Sequence, residues 1–444
     1  MNIKQINTYI EKHKDLILEA ERYIWNHPET GYKEYKTTAY MKECFEQLGY
    51  SLVMADGITG FYTRIETGRP GPEILILGEL DSVLCPTHEE ADPITGAVHS
   101  CGHNAQCAAL LGIAAALKEP HALDALSGNI RLCAVPAEEL LEIEYRSELM
   151  KQGIIKCFGG KTEFLSRGYF DGVDLAFMVH TAQSFFARAG SVGCLAKQII
   201  YKGVASHAGS SPWNGKNALY AASLGLQAIN SIRETFRESD LIRVHPIMTQ
   251  GGSMVNAIPD TAVLESYIRG ASFDAIERAN AKVNRALIGA ALSLGVNIEI
   301  IDQPGYAPLQ NDKNLLLVTS DAFSLVFEGQ TLDFKDVIGT GSTDLGDLSC
   351  IMPVIHPYAG GASGTGHGSD YKISDPNAAC VLSAKWQLAM LSLLLENHAA
   401  RAKEIVEGYK PMFSSAREYL DFLDRLRCSG NRIEYRDDGS VFIK

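Results

Sequence analysis

The 444-residue sequence lacks the features that define several large classes of protein. Its ten cysteines are scattered rather than densely paired, which argues against a disulfide scaffold and favours a reducing, cytoplasmic location. It has no cluster of Lys or Arg to offset its net charge of −13, so neither nucleic acid nor an anionic membrane is expected as a partner. No uninterrupted apolar run approaches the roughly 18 residues of a membrane span, and the first residues lack the apolar segment of a signal peptide.

The composition is that of a globular protein. Hydrophobic residues make up 46% of the chain and charged residues 21%, which excludes disordered and collagen-like classes. The length is sufficient for two or three domains, each large enough to bury a core. Small ligands fit this composition better than polyanions.

Three apolar runs end in side chains that can bind a metal ion. Residues 74–77 lead into Glu79 and Asp81, residues 130–135 lead into a pair of glutamates, and residues 173–179 lead into His180. Continuous apolar runs predict strands covered on both faces, and hence a parallel or mixed sheet surrounded by helices. Ligand sites in such folds gather at the carboxyl ends of the strands.

The pattern of apolar and polar residues changes after Phe185. Residues 189–303 show the order β-α-β-β-α-β and predict a small α+β, ferredoxin-like domain inserted into an α/β domain formed by residues 1–188 and 304–400. Within the α/β part, residues 105–117 predict a helix with Asn104 as its N-cap. Residues 401–444 are interpreted as a C-terminal extension.

Five scattered residues form a candidate metal site. An isolated Cys-x-His is more often a buried thiol beside a surface histidine, and an isolated Glu pair is more often a solvated strand end. Five potential ligands in one predicted domain, mostly at strand exits, are harder to explain by chance: Cys101, His103, Glu139, His180 and His367. Together they can hold two metal ions, which suits amide hydrolysis.

The order of the motifs resembles a known family, the dinuclear metal-dependent amidohydrolases and metallopeptidases that include aminoacylase, carboxypeptidase G, hippurate hydrolase and the aminobenzoyl-glutamate hydrolase subunits. The resemblance runs from about residue 20 to 400. Its landmarks are Asn26-His27-Pro28-Glu29 with Glu34 and Thr37, Gly78-Glu79-Leu80-Asp81, His99-Ser100-Cys101-Gly102-His103-Asn104, Pro136-Ala137-Glu138-Glu139, Ser206-His207-Ala208, Gly251-Gly252 with Asn256-Ala257-Ile258-Pro259, Gly341-Ser342-Thr343-Asp344, and His367.

The resemblance implies a role for each matched residue. The five metal ligands named above match the family's ligands, with the Cys101 thiolate able to bridge two divalent ions, Zn or Mn. Glu138 matches the general base, and Asp81 matches a carboxylate that orients a ligand imidazole. In the inserted domain, which serves the family in dimerisation and as a lid, His207 matches an oxyanion donor that reaches the partner subunit's site. Asn256 and Arg269 match positions near the substrate, and Arg269 can grip a carboxylate.

Two departures from the family pattern affect the assignment. In close relatives the Glu-Glu pair runs almost directly into a Gly-rich turn, whereas here residues 140–158 intervene before Gly159-Gly160-Lys161. This insertion is expected on the rim of the active site, either narrowing the pocket or serving as a surface elaboration. The second departure is Asn104-Ala105-Gln106, which is more similar to the aminobenzoyl-glutamate branch than to the hippurate branch.

The sequence therefore predicts a metal-dependent amidohydrolase that acts on an N-acyl amino acid, aminobenzoyl-glutamate or a dipeptide-like substrate, as a homodimer or higher homo-oligomer. The alternative is a non-catalytic binding or assembly subunit that keeps the fold. Retention of the base and all five ligands argues against it. A mononuclear iron oxygenase with two His and a carboxylate would leave Cys101 and the two-domain order unexplained.

Overall fold

The computed structural model describes residues 1–444 and divides into two compact units. Unit 1 comprises Met1–Gly190, Leu309–Gly339 and Thr343–Ala416. Unit 2 comprises Ser191–Pro308, Thr340–Ser342 and Arg417–Lys444. The segment 401–444, expected as one extension, is thus shared between the two units.

The chain forms twelve α-helices and 25 short or long β-strands. The helices are α1 (Ile3–Lys12), α2 (Lys14–Trp25), α3 (Tyr35–Gln47), α4 (His103–Leu117), α5 (Ile143–Lys151), α6 (Gly160–Ser166), α7 (Ala218–Ile232), α8 (Phe273–Ser293), α9 (Lys313–Val326), α10 (Leu345–Ser349), α11 (Ser383–Gly408) and α12 (Ala416–Leu426). The strands are β1 (Val53–Met54), β2 (Phe61–Glu66), β3 (Glu73–Glu79), β4 (Val83–Leu84), β5 (Ala97–Val98), β6 (Asn129–Val135), β7 (Leu175–Phe177), β8 (His180–Thr181), β9 (Phe186–Ser191), β10 (Gly193–Lys202), β11 (Ser206–His207), β12 (Arg243–Val244), β13 (Ile247–Gln250), β14 (Ala257–Ile258), β15 (Thr261–Gly270), β16 (Asn297–Tyr306), β17 (Leu309–Gln310), β18 (Asp333–Gly339), β19 (Val354–Ile355), β20 (Tyr358–Ala359), β21 (Ala362–Ser363), β22 (Lys372–Ile373), β23 (Cys428–Asn431), β24 (Ile433–Tyr435) and β25 (Val441–Ile443).

Unit 1 is built on a six-stranded sheet in the order β1-β2-β6-β3-β7-β19. Strand β3 pairs in parallel with β6 and β7, and β7 pairs in parallel with β19, whereas β2 runs antiparallel to β6. All seven residues of β3 are buried, as its continuous apolar run requires for a strand covered on both faces. The predicted α/β fold with a mixed, largely parallel sheet is confirmed.

Helix α4 is the central helix of unit 1, and all fifteen of its residues are buried. Its small side chains allow close packing: a Cβ on Gly112 would lie 2.5 Å from the side chain of Ile17 on α2. The predicted N-cap was wrong, because the helix begins at His103 after Gly102 in the left-handed conformation. Asn104 lies inside the helix and donates a hydrogen bond to Glu21 Oε1 at 2.7 Å.

One helical stretch, Asn377–Gly408, is long and apolar enough to cross a membrane by length and composition alone. Most of its apolar part is buried inside the protein, where α11 packs against α1, α4 and α9. Residues 396–399 depart from helical geometry and kink it. The stretch therefore packs as a core helix of unit 1.

Unit 2 contains an antiparallel sheet in the order β12-β15-β10-β16-β23, with α7 and α8 packed against it. The predicted β-α-β-β-α-β order is present as β10, α7, β12 with β13, β15, α8 and β16. The sheet gains a fifth strand from the C-terminal segment, since β23 pairs with Glu299–Asp302 of β16. The C-terminal residues thus cover one edge of this sheet.

Candidate metal centre

The predicted ligands of unit 1 come together near the exits of strands β3, β6 and β7, with His180 as the first residue of β8. Potential ligand atoms lie within 4.8 Å of one another in three groups: Cys101, His103 and His180; Cys101, Glu139 and His367; and Glu79, His103 and Glu138. The first two groups share Cys101. A thiolate shared by two sets of ligands is suited to bridge two metal ions.

The histidines of the first group present the same ring nitrogen to the cluster. His103 Nδ1 donates to the Asp81 backbone carbonyl at 2.9 Å and lies 3.2 Å from Asp81 Oδ1, and His180 Nδ1 donates to the Thr181 carbonyl at 2.8 Å. These bonds place the proton on Nδ1 and leave the Nε2 lone pair for a metal ion. His103 Nε2 is buried, forms no hydrogen bond and lies 3.2 Å from Glu79 Oε2, so the site fits a resident ion.

Cys101 carries a thiol that ionises easily in this setting. Its Sγ lies 3.4 Å from His180 Nε2. Burial and Glu139 act to raise the pKa of Cys101, but His103 and His180 outweigh them and lower it to about 6. The thiolate is the form that binds metal ions.

His367 reaches the second group from a Gly-rich turn. Its backbone has a φ of +62°, and its N–H donates to the Ser100 carbonyl at 2.8 Å, which holds the turn beside Cys101. His367 Nε2 lies 3.0 Å from Glu139 Oε1. Although burial raises the pKa of Glu139, His367 opposes it and brings the pKa to about 2, so this carboxylate is ionised.

Asp81 connects two predicted ligands from different elements, His103 at the start of α4 and Glu139 after β6. Besides contacting His103, it accepts the Glu139 N–H through Oδ2 at 2.7 Å. The two oxygens of one buried carboxylate therefore orient an imidazole and a neighbouring acidic ligand at once.

Glu138 belongs to the third group, with Glu79 and His103, whereas Glu139 belongs to the second. Glu138 Oε2 is 3.8 Å from His103 Nε2, and only 6% of the residue is exposed. Burial, Glu79 and Glu139 raise the pKa of Glu138 well above its usual value. A carboxyl with a raised pKa can accept and release a proton near neutral pH.

A buried network of charged side chains adjoins the cluster through Glu79 and was not predicted from the sequence. Lys161 Nζ lies 2.5 Å from both Glu79 Oε1 and Asp344 Oδ1, and all three side chains are fully buried. Gln106 donates to Glu79 Oε2 at 2.8 Å. Burial acts against the charge of Glu79, but Lys161 and His103 outweigh burial and lower its pKa. The sequence did contain a signal for this network, because Glu79 and Asp344 lie within the family motifs and Lys161 follows directly after Gly159-Gly160.

Arg188 is a second residue that sequence reasoning missed. Its guanidinium lies over the rings of Phe186 and Tyr358, at 5.0 Å and 4.7 Å from their centroids, and forms no ion pair. The Tyr358 ring centroid is 5.7 Å from that of His180. An arginine without a carboxylate partner is thus separated from His180, a predicted metal ligand, by the ring of Tyr358.

The remaining predicted residues belong to unit 2. His207 and Asn256 are brought together, because β11 pairs with β14 and Ala208 N–H donates to the Asn256 carbonyl at 3.0 Å. Both side chains are exposed. Arg269 lies near the end of β15, where Nη1 donates to Ser342 Oγ at 3.2 Å.

Comparison with known proteins identifies the class. Residues 75–388 match the family described as Peptidase family M20/M25/M40. A Xaa-Arg dipeptidase of Homo sapiens is 30% identical over 354 residues, covering 76% of this chain and 74% of the relative. The N-acetyl-L-cysteine deacetylase of Bacillus subtilis is 30% identical over 327 residues, covering 69% and 71%.

Solved structures share the fold. An aminobenzoyl-glutamate utilization protein from Klebsiella pneumoniae has a TM-score of 0.66 at 19% identity, covering 87% of this chain and 98% of that one. A dinuclear metal-binding peptidase of family M20 from Bacillus subtilis has a TM-score of 0.62 at 19% identity, covering 88% and 99%. The chain belongs to peptidase family M20/M25/M40. It is a metal-dependent hydrolase of amide or peptide bonds.

Proposed function

We propose that this protein hydrolyses the amide bond of an N-acyl amino acid, aminobenzoyl-glutamate or a dipeptide-like substrate. The observation that carries the proposal is the pair of ligand groups sharing Cys101, with Glu138 beside them. Two divalent ions held by Cys101, His103, Glu139, His180 and His367 would polarise the amide carbonyl and lower the pKa of a water molecule. The thiolate favours zinc over manganese as the softer ion.

Glu138 is the proposed general base. Its carboxyl is buried beside Glu79 and Glu139, and the raised pKa suits it to take a proton from the attacking water and pass it to the leaving amine. Its neighbour has the opposite character, because the carboxylate of Glu139 stays ionised beside His367. Adjacent glutamates in different environments thus divide the roles of base and ligand.

A free carboxylate is the proposed recognition element of the substrate. The two relatives described above are named for a Xaa-Arg dipeptide and N-acetyl-L-cysteine, and a third, from Escherichia coli and 25% identical over 354 residues, is named for p-aminobenzoyl-glutamate. Cleavage of the amide bond in each of these substrates leaves an amino acid. Arg269 has a planar guanidinium that can bind such a carboxylate in a bidentate manner. Asn256 is proposed as a further substrate contact, and Arg188 as a second cation for an acidic group.

We propose a homodimer in which His207 serves the partner subunit's site. His207 Nδ1 accepts the N–H groups of Gly209 and Ser210, each at 3.1 Å, so the neutral ring carries its proton on Nε2 and can donate to an oxyanion. Asn256 lies near His207, before the start of β15, whereas Arg269 lies eight residues along that strand from Thr261, about 26 Å away. Since His207 pairs with Ala257, beyond the Thr261 end of β15, we propose that His207 and Arg269 of one chain serve different sites.

Subunit exchange tests this arrangement. His207→Ala and Glu138→Gln homodimers are each expected to be inactive, and mixing them should form hybrids in which one site has both groups. Random mixing with independent sites should restore about a quarter of wild-type activity. Demonstrated exchange without recovery would show that His207 acts within its own chain or has no catalytic role.

A substrate panel separates the enzyme from the alternative of a non-catalytic subunit. The purified protein, loaded with zinc or manganese, is assayed for amine release from N-acyl amino acids, dipeptides and aminobenzoyl-glutamate. Turnover that Glu138→Gln abolishes supports the enzyme, and metal binding with no turnover on any of them supports the binding subunit. A cytoplasmic location is also proposed, because the ten cysteines are scattered rather than densely paired.

A further inference from the structure

The insertion at residues 140–158 places a buried arginine behind the Glu138-Glu139 pair. Arg146, on α5, is 1% exposed. Its Nη1 donates to the Phe158 carbonyl at 2.6 Å and to the Ala137 carbonyl at 3.4 Å, and its Nη2 donates to the Glu139 carbonyl. Two of these three carbonyls therefore belong to Ala137 and Glu139, the residues on either side of Glu138.

Two acidic side chains accept the N–H groups of the same turn. Glu34 Oε1 accepts the Ala137 N–H at 2.7 Å, and Asp81 Oδ2 accepts the Glu139 N–H at 2.7 Å. Arg146 supplies the complementary donors, to the carbonyls of Ala137 and Glu139. The N–H and the carbonyl of both Ala137 and Glu139 are thus hydrogen-bonded to side chains, the N–H groups to Glu34 and Asp81 and the carbonyls to Arg146.

The backbone at this turn is in a conformation that needs support. Ala137 has a φ of +56°, in the left-handed region that residues with a side chain rarely adopt. Gly31 makes room for the guanidinium, since a Cβ there would lie 2.4 Å from Arg146 Nη2. The Tyr32 ring lies 5.5 Å from the guanidinium carbon, so the planar group is enclosed on one face.

We infer that Arg146 is a positioning residue that fixes the backbone of residues 137–139 and so aims Glu138 and Glu139 at the metal centre. The inference rests on the proposed function for the role of Glu138. It makes the insertion part of the active-site scaffold rather than a surface elaboration. A lysine cannot replace Arg146, because an ammonium does not reproduce the planar fork that spans separate carbonyls.

The first test compares Arg146→Met and Arg146→Lys with Lys151→Met, an exposed position on the same helix. All are assayed at full metal content, with thermal unfolding as a check on folding. Both Arg146 variants should lose roughly tenfold to 100-fold in kcat with little change in KM, because the reacting groups are misplaced rather than the substrate weakly bound. Lys151→Met should match the wild type. Wild-type kcat in Arg146→Met would overturn the inference.

A double-mutant cycle identifies the group through which Arg146 acts. If Arg146 aims Glu138, the Glu138→Gln substitution should cost several-fold less in the Arg146→Met background than in the wild type. Losses that simply multiply would contradict the inference. Should Arg146→Met fail to fold, Arg146→Lys carries the same cycle.

A spectroscopic experiment tests the position of the ligands without any substrate. In cobalt-substituted protein the visible absorption bands report the geometry of the ligands, including Glu139. Arg146→Met should shift these bands and Lys151→Met should not; identical bands in all three proteins would contradict the inference. Absence of amide hydrolysis in every protein would defeat the proposed function while leaving this readout valid.

Discussion

Replacement of Glu138 by Gln tests the proposed division of the acidic pair into a general base, Glu138, and a metal ligand, Glu139. The amide keeps the shape of the side chain but cannot take a proton from water. Loss of general-base help costs a factor of roughly 100 or more, which corresponds to about 2.7 kcal/mol or more in the activation free energy. We expect kcat to fall by that amount while the metal content stays at the wild-type level, because the ligand groups that share Cys101 do not include Glu138.

The structure also predicts the stability of this variant. Glu138 is buried, and Glu79 and Glu139 disfavour its charge, so removal of the charge relieves repulsion. The unfolding temperature of Glu138→Gln should therefore be no lower than that of the wild type. The matched variant Glu139→Gln should instead lose metal, measured as ions per chain by mass spectrometry. Wild-type turnover in Glu138→Gln, or loss of metal from that variant alone, would refute the division of roles.

Two further predictions concern the substrate and the metal. Arg269→Lys should raise KM selectively for substrates with a free carboxylate, because an ammonium does not replace a bidentate contact; kinetics on matched carboxylate and carboxamide substrates would measure this, and equal losses on both would remove the claim. Asp81→Asn should weaken metal affinity by roughly tenfold to 100-fold, since it disturbs the partner that orients His103 and holds the Glu139 N–H. Metal titration of the apoprotein tests this, and an unchanged affinity would show that the His103 orientation does not depend on Asp81.

The grouping of Asp81, His103 and Glu139 could be anticipated from local pattern. Apolar runs identified β3 and β6, and the carboxyl ends of parallel neighbours meet at one edge of the sheet. The sequence pattern did not predict the first residue of α4 correctly. A left-handed Gly102 starts the helix at His103, a choice that depends on the backbone turn rather than on the capping preference of Asn104.

Contacts between parts of the chain that are distant in sequence could not be predicted from local sequence patterns. Lys161 and Asp344 are 183 residues apart in sequence, and their ion pair exists only because the fold places both beside Glu79. The pairing of β23 with β16 is similar, since a short polar strand carries no signal of its partner. Arg146 reads as one charged residue on a polar helix until the carbonyls that it contacts are known.

The most direct test of the central claim is metal reconstitution of the apoprotein with amide hydrolysis as the readout. Zinc or manganese is titrated into metal-free protein, and bound ions per chain are measured alongside amine release from an N-acyl amino acid or dipeptide. The account predicts two ions per chain, no turnover without metal, and loss of tight binding in Cys101→Ala. Hydrolysis by metal-free protein, or saturation at a single ion that Cys101→Ala leaves unchanged, would contradict it.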